Sequence, residues 1–292
     1  MIKKSKITML FSPADNPKML INAHLYGADS IIFDLEDAVK YSEKDAARDL
    51  LAEALKVMDY GETQIYARIN PLYTEFGIDD VTQLVPAGLR LMRLAMCEKP
   101  EQIVELDNLL TKIETENAIE LGSCKIQCSL ETPLGVTNAA AIATASKRVE
   151  SISFGAEDFT RSLGAERTKE GKEIFMARSM VVMAAAIAGV DAIDTVWSDI
   201  NDEEGFRAEV KGAINMGFAG KSCIHPSQIR IVHEIFTPSK EELKKSLEIV
   251  EAAAKADINN GGVITVNGKM VDIPVIAKAE KVVRLAKAAG II

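Results

Sequence analysis

Glu131 and Asp158 are the two residues of this sequence whose type and setting suit metal chemistry. Each follows a short apolar run, at 125–130 and 151–154, and a Gly or Pro closes each run. Such runs are typical of buried parallel strands. Carboxylates at strand ends, with no adjacent Cys or His, suit Mg²⁺, which one or two carboxylates hold while it keeps several waters. The alternative interpretation makes each acid an ordinary loop or helix-capping residue.

Other polar residues follow further strand-like runs and add to this pattern. They are Asp34, Glu36 and Asp37, Arg68 and Asn70, Arg93, Asp194 and Asp199, and His225. Arg68 lies opposite to its apolar neighbours in a predicted strand, by period-two alternation. An Arg in a buried strand needs an anionic partner. The sequence leaves open whether that partner is a substrate or an acid from the preceding strand end.

The elements that would position these residues alternate between strand and helix about eight times. The predicted strands are 7–12, 30–33, 64–71, 89–94, 125–131, 151–154, 191–199 and 221–226. The predicted helices include 17–26, 43–58, 100–116, 173–189, 202–216 and 238–257. This rhythm predicts an α/β fold, a (β/α)₈ TIM barrel, whose active site lies at the carboxyl ends of the strands. All the polar clusters are predicted to converge there.

The last residues form a different kind of segment. We predict a catalytic barrel over 1–256 and a C-terminal lid or oligomerisation segment over 257–292. A hairpin at 263–272 with an Asn267–Gly268 turn precedes a helix at 274–289. A small hairpin is not stable alone, so it is predicted to pack on the barrel mouth or on a neighbouring subunit, where Asp272 would reach a site. The alternative makes Asp272 a helix N-terminal acid.

Composition excludes several classes of function. The 292 residues carry a net charge of −9, which argues against a nucleic-acid surface. No apolar run approaches the ~20 residues of a membrane span, and the N-terminus has no signal-peptide pattern. We therefore expect a cytoplasmic protein without membrane or nucleic-acid partners. The four cysteines form no C-x-x-C motif, and only three His are present, so reduced thiols are favoured over a zinc site.

The chain resembles a known family, the citrate lyase beta chain (citryl-CoA/citryl-ACP lyase), within the HpcH/HpaI aldolase and citrate lyase superfamily. The resemblance runs from end to end. The matching stretches are 33–39 (FDLEDAV), 67–71 (ARINP), 130–135 (LETPLG), 154–158 (FGAED), 220–226 (GKSCIHP) and 267–272 (NGKMVD).

This resemblance implies roles for individual residues. Glu131 and Asp158 are similar to the Mg²⁺ ligands, and Arg68 to the residue that grips the oxo-acid part of the substrate. We place Asn70 and Glu131 with Arg68 in substrate binding. Glu36 and Asp37 resemble acids that hold metal-bound water, and we count them as catalytic. Asp272 resembles the lid acid that an adjacent subunit supplies, commonly in a trimer.

The implied activity is a Mg²⁺-dependent retro-aldol cleavage of a 3-hydroxyacyl thioester. Citryl-CoA or citryl-ACP, giving oxaloacetate and an acetyl thioester, is the preferred substrate, alone or within a larger lyase complex. Citramalyl-CoA or malyl-CoA cleavage is the alternative, and a non-catalytic barrel that binds acyl thioesters is the alternative of another class. The chain departs from the family where Ile7–Thr8 replaces Arg-Ser, and where Leu94–Ala95–Met96 replaces Leu-Pro-Lys. These two departures remove two basic groups.

Overall fold

The computed structural model describes residues 6–256, 263–289 and 291–292. The backbone contacts divide these residues into two compact units. One is Lys6–Val232, and the other comprises the described residues from His233 onward. Within the described residues, no helix has both the length and the apolar character needed to cross a bilayer.

The first unit is built on a closed barrel of eight parallel strands, in which each strand pairs with the next and β8 pairs with β1. The strands are β1 (Thr8–Pro13), β2 (Ser30–Asp34), β3 (Gln64–Ile69), β4 (Leu91–Leu94), β5 (Lys125–Leu130), β6 (Val149–Phe154), β7 (Asp191–Asp194) and β8 (Gly220–Cys223). The predicted (β/α)₈ barrel is therefore confirmed.

Helices follow the strands along the chain. The described residues contain α1 (Pro17–Asn22), α2 (Lys44–Val57), α3 (Gly77–Leu84), α4 (Pro100–Glu116), α5 (Pro133–Thr137), α6 (Ala139–Thr144), α7 (Ala156–Leu163), α8 (Lys172–Ala188), α9 (Glu203–Met216), α10 (Pro226–Phe236), α11 (Lys240–Ala256) and α12 (Ile273–Ala288). Short 3₁₀ helices lie at Ala23–Tyr26 and Tyr41–Glu43. The sequence did not predict α3 or α10, and it placed the end of α7 in a loop that was expected over 160–171. The eight residues of α3 and α7 are too few for a clear 3.6-residue period.

Strand alternation separates two layers of core. Outward-facing residues such as Ile31, Phe33 and Met92 pack with the helices in a large apolar cluster. Four inward-facing residues, Met9, Ile32, Tyr66 and Ile193, form a second, small cluster inside the barrel. This apolar cluster fills part of the barrel interior. The next inward-facing residues, two positions further along each strand, lie nearer the carboxyl ends of the strands.

One polar layer follows directly from strand register. Asp34 on β2 is the register partner of Arg68 on β3, and Arg68 is the partner of Arg93 on β4. Register partners on neighbouring parallel strands present their side chains to the same face. The barrel therefore brings one acid and two guanidinium groups together inside its carboxyl end.

The second unit contains α11, a two-stranded hairpin and α12. The hairpin pairs β9 (Ile264–Val266) with β10 (Lys269–Val271). Its two turn residues, Asn267 and Gly268, have φ of 50° and 75°, as a tight type I′ turn requires. The predicted hairpin and following helix are confirmed. The expected domain boundary at residue 257 lies outside the described residues and stays a prediction.

Candidate active site

A cavity of about 420 Å³ lies in the first unit at the carboxyl end of the barrel. It is lined by Phe11, Ser12, Pro13, Asp34, Asp37, Ala38, Arg68, Arg93, Glu131, Phe154, Gly155, Ala156, Glu157, Asp158, Thr195, Val196, Ser222 and Ile224. The sequence predicted that the strand ends would meet at one site. Six of the polar residues singled out from the sequence contribute to this lining.

Glu131 is held rigidly at the end of β5. One carboxylate oxygen accepts the backbone N–H of Met96 at 2.6 Å, and the other accepts the hydroxyl of Ser129 at 3.0 Å. Met96 has a φ of 52°, a left-handed backbone that a non-glycine residue seldom adopts. Met96 stands where the resembled family usually has Lys. Its hydrogen bond to Glu131 comes from the backbone N–H and not from the side chain.

Asp158 faces the same cavity from the first turn of α7. Burial raises the pKa of Asp158, and the charges of Glu131 and Asp37 raise it further, against the opposing charges of Arg161 and Arg68. Arg161 bonds Asp158 at 2.6 Å, but its own side chain is largely exposed. Glu131 and Asp158 therefore repel each other across one cavity, and a cation between them would stabilise their charged forms.

The donor set fits Mg²⁺ and does not fit zinc. Among the described residues, no group of three or more His, Cys, Asp and Glu is arranged to enclose a metal. Glu131 and Asp158 would hold Mg²⁺ with two carboxylates, and the remaining positions would be left to water and substrate. Structural zinc sites instead enclose the ion with four protein ligands.

Arg68 is bound by acids of the β2 end. Asp34 accepts its Nε–H at 2.7 Å and its Nη2–H at 2.6 Å, while Nη1 lies 2.9 Å from Glu36 and 3.4 Å from Asp37. Of the two interpretations that the sequence left open, the internal ion pair is present. Arg68 still lines the cavity, so it can also meet a ligand there.

Burial and charge shift the pKa values of these acids in opposite directions. Burial by itself would raise the pKa of Asp34, but the hydrogen bonds and charge of Arg68 hold it below its usual value. Burial raises the pKa of Glu36 to about 8, and Asp37 and Glu131 add to that rise against the opposing charge of Arg68. On the same segment, Arg68 thus lowers the pKa of one acid, whereas burial raises the pKa of the other.

Other predicted residues are engaged elsewhere. The Asn70 amide donates to the Leu35 carbonyl at 3.0 Å and to Asp80 at 2.8 Å, and Asn70 does not contribute to the cavity lining. Asp272, in the second unit, caps α12 by accepting the N–H of Val275 at 3.2 Å. Its predicted role as a lid acid stays a prediction.

Three further polar residues from the predicted rim also have partners outside the cavity. Asp194 is fully buried and pairs with Arg178 at 2.8 Å and with Lys221 at 2.9 Å. Asp199 pairs with an exposed lysine, and the His225 ring contacts Ser227. The ion pairs of Asp194 connect β7 to β8 and to α8.

Sequence reasoning missed two residues that contact Glu131, one of the two predicted metal ligands. Ser129 lies two positions before Glu131, so period-two alternation could have placed both on one face. Gly155 lies against Glu131, and a Cβ built on it would be 2.7 Å from the Cβ of Glu131. The Gly155 φ of −108° is accessible to any residue. Only the close approach of Glu131 requires glycine, and no sequence signal reveals that approach.

An eight-stranded parallel barrel with paired carboxylates and a buried arginine at its mouth has the architecture of metal-assisted α/β-barrel enzymes. The chain belongs to the HpcH/HpaI aldolase/citrate lyase family, whose model matches residues 7–226. The resemblance drawn from the sequence motifs is thereby confirmed.

Named relatives and solved structures extend this comparison to the whole chain. The citrate lyase subunit beta of Haemophilus influenzae is 43% identical over 97% of this chain and 98% of its own length. The L-malyl-CoA/beta-methylmalyl-CoA lyase of Rhodobacter capsulatus is 31% identical over 97% of this chain and 95% of its own length. The structure of CitE from Mycobacterium tuberculosis, in complex with magnesium, acetoacetate and coenzyme A, matches with a TM-score of 0.78 and 30% identity. It covers 98% of this chain and 100% of that one.

Proposed function

We propose that this protein is a Mg²⁺-dependent carbon–carbon lyase that cleaves a 3-hydroxyacyl thioester by retro-aldol chemistry. Its substrate is citryl-CoA or citryl-ACP, and its products are oxaloacetate and an acetyl thioester. The meeting of Glu131, Asp158 and Arg68 in one cavity carries the proposal. The relative named citrate lyase subunit beta supports the reaction. The CitE complex with magnesium and coenzyme A supports the cofactor and the carrier.

The residues of the cavity divide the chemistry between them. Bound at Glu131 and Asp158, Mg²⁺ would supply Lewis-acid polarisation of the substrate oxygens. Arg68 offsets the negative charge of the oxo-acid fragment, while Asp34 keeps its guanidinium in place. Asp37, which lines the cavity, accepts the proton of the substrate hydroxyl, directly or through a water.

The bond that breaks joins the hydroxyl-bearing carbon to the α-carbon of the thioester. Its electron pair stays on the α-carbon as an enolate, and the hydroxyl carbon becomes the carbonyl of the oxo-acid. The enolate must then take up a proton. We assign that proton to Asp272 of an adjacent subunit in a trimer, because a carboxylic acid positioned at the enolate can act as its general acid.

A direct assay tests the reaction and its alternatives. The purified protein is offered citryl-CoA, citramalyl-CoA and malyl-CoA with Mg²⁺, and release of oxaloacetate, pyruvate or glyoxylate is followed. We expect citryl-CoA to have the highest kcat/KM. Preference for either other thioester would support the alternative lyase activity, which the malyl-CoA lyase relative favours. A folded protein that binds these thioesters but cleaves none would be a non-catalytic binding barrel.

Removal of Glu131 tests the metal site. Glu131→Ala takes away one of two ligands, so Mg²⁺ binding measured by calorimetry and Mg²⁺-dependent turnover should both be lost. Glu166→Ala, which removes an exposed acid outside the cavity lining, is the matched control and should keep both. Unchanged Mg²⁺ binding by Glu131→Ala would show that the ion is held elsewhere.

Asp272→Asn tests the proton donor without removing the helix cap. Asn also accepts the N–H of Val275, so α12 should be retained, and Mg²⁺ binding should be unchanged while turnover slows. Mixing Asp272→Asn with Glu131→Ala protein tests the trimer, because hybrid sites with one intact copy of each residue should restore part of the activity. Full activity of Asp272→Asn would remove this residue from the mechanism.

The cellular setting is part of the same proposal. We place the protein in the cytoplasm, where CoA thioesters are available, as a homotrimer that acts alone or within a larger lyase complex. Size-exclusion chromatography with light scattering would measure the oligomeric state. A monomer with full turnover would contradict the shared site.

A further inference from the structure

Arg93 is a second guanidinium inside the barrel mouth. It lies on β4 between Met92 and Leu94, which both pack outward against the helices, so its own side chain points inward. It lines the cavity beside Arg68 and is only 3% exposed. Both guanidinium groups lie over the Phe11 ring, with their Cζ atoms 4.9 Å (Arg93) and 5.2 Å (Arg68) from its centroid.

The two arginines differ in how their charge is satisfied. Arg68 has three carboxylates around it. The Nη2 atom of Arg93 donates a hydrogen bond to the Ser129 hydroxyl at 3.2 Å. Its Nε and Nη1 have no partner among the residues that the structure describes. A buried guanidinium without an anionic partner is unfavourable, so Arg93 is a built site for an anion that arrives from outside the chain.

Ser129 connects this arginine to the proposed metal site. Its hydroxyl accepts from Arg93 and donates to Glu131 at 3.0 Å. The unpaired donors of Arg93 therefore lie one side chain away from the carboxylate that would hold Mg²⁺. Burial lowers the pKa of Arg93 to about 10, and the neighbouring Arg68 also lowers it against the charge of Glu131. The group is thus still charged at neutral pH.

We propose that Arg93 binds the second carboxylate of a dicarboxylic oxo-acid fragment. This inference rests on the proposed lyase function and adds a specificity-determining residue to it. Citryl-CoA differs from citramalyl-CoA by one carboxylate on the side arm, and oxaloacetate differs from pyruvate by the same group. Arg93 carries the positive charge that the internal acids leave uncompensated. It thereby selects the citryl thioester over substrates whose side arm is a methyl group or a hydrogen.

The test compares oxaloacetate with pyruvate in wild-type and Arg93→Met protein. Each acid is titrated calorimetrically in the presence of Mg²⁺. Wild type should bind oxaloacetate more tightly than pyruvate. The substitution should weaken oxaloacetate binding by roughly 10- to 100-fold, the range of a charge-assisted hydrogen-bonded pair. Pyruvate affinity should change by no more than about twofold, and kcat/KM for citryl-CoA should fall while that for citramalyl-CoA is kept.

Two further variants separate specificity from a structural role. Arg93→Lys keeps the charge and should retain part of the oxaloacetate preference. Arg90→Met, which removes an arginine outside the cavity lining, should leave the preference unchanged. The melting temperature of Arg93→Met should not fall, because the variant removes a buried charge without an anionic partner. Arg93→Gln gives the same comparison should the Met variant not fold.

The possible outcomes distinguish the two levels of the proposal. If Arg93→Met weakens both acids equally, or leaves their affinity ratio unchanged, the role of Arg93 is overturned while the lyase function stands. If wild type binds neither acid and cleaves no thioester, the proposed function itself fails and the role of Arg93 fails with it.

Discussion

Replacing Gly155 by Ala should weaken Mg²⁺ binding although residue 155 cannot itself be a ligand. Gly155 precedes α7, and its backbone lies against the Glu131 side chain. An added Cβ would lie 2.7 Å from the Glu131 Cβ and 2.8 Å from its Oε2 atom. Since φ at residue 155 is −108°, Ala introduces no backbone strain. The effect of the substitution is therefore a local collision with the proposed metal ligand.

The size of the effect follows from these distances. Non-bonded carbon atoms settle at roughly 3.5–4.0 Å, so Glu131 must move by about 1 Å. Overpacking of this kind costs ~1–3 kcal/mol. If the cost falls on the geometry of the metal site, Mg²⁺ affinity should drop roughly 5- to 150-fold. Glu131 cannot simply rotate away, because Met96 and Ser129 hold both of its oxygens.

Calorimetric titration of Mg²⁺ into the metal-free protein is the direct assay, with thermal melting as the check on folding. Gly212→Ala, within α9, is the matched control, because a Cβ at that position meets nothing within 4 Å. It should keep wild-type Mg²⁺ affinity and gain up to about 1 kcal/mol in free energy of unfolding. A folded Gly155→Ala protein with wild-type Mg²⁺ affinity would refute the assignment of Glu131 as a ligand.

Two further predictions concern stability. Glu114 accepts the Nη1–H and Nη2–H of Arg148 at 2.8 and 2.7 Å, while Asp107 is a second anionic partner of that arginine. Glu114→Gln should therefore cost ~1–3 kcal/mol in free energy of unfolding, measured in urea, because it removes charge-assisted hydrogen bonds but leaves Asp107 in place. Burial alone would raise the pKa of Glu114, but Arg148 brings it to about 2. The wild-type protein should therefore lose the stabilisation by the Glu114–Arg148 ion pair as pH falls from about 4.5 towards 2. Glu114→Gln has no carboxylate to protonate at this position and should not show that loss. Equal pH dependence of the two proteins would contradict this account. Met96→Gly should raise the free energy of unfolding by up to about 1 kcal/mol in the same assay. The substitution removes the ~1–2 kcal/mol that a left-handed backbone costs a non-glycine residue. It adds ~0.5–1 kcal/mol of backbone entropy that Gly loses on folding. Mg²⁺ affinity should be unchanged, since the backbone N–H that binds the metal-site carboxylate remains; a large loss of Mg²⁺ affinity would show that the Met96 side chain matters.

Local patterns in the sequence were enough to predict the barrel. Eight short apolar runs separated by helical segments have few other three-dimensional solutions, because parallel strands need helical crossovers. The same patterns located Glu131 at the end of its strand. Asp158 was expected at a strand end but lies in the first turn of α7. The boundary between β6 and α7 depends on the hydrogen bonds of the sheet and on helix capping. Sequence propensities predict such a boundary only to within a few residues.

Residue type and alternation also predicted that Arg68 is buried and needs an anion. They did not decide which anion, because Asp34 is distant along the chain and meets Arg68 only through the register of β2 with β3. Asn70 illustrates the same limit. Its assignment to substrate binding stays a prediction, and the sequence did not reveal that Asp80, ten residues further on, accepts its side-chain amide.

The sequence by itself determined the alternation that closes the barrel, the acids that end its strands and the motifs that mark its family. These depend on periodicity and local chemistry, which neighbouring residues carry. Only the tertiary structure decided that Arg68 is neutralised by internal acids while Arg93 is left without an anionic partner. Both are arginines on adjacent strands, and the difference between them is set by which side chains the closed barrel brings within hydrogen-bonding distance.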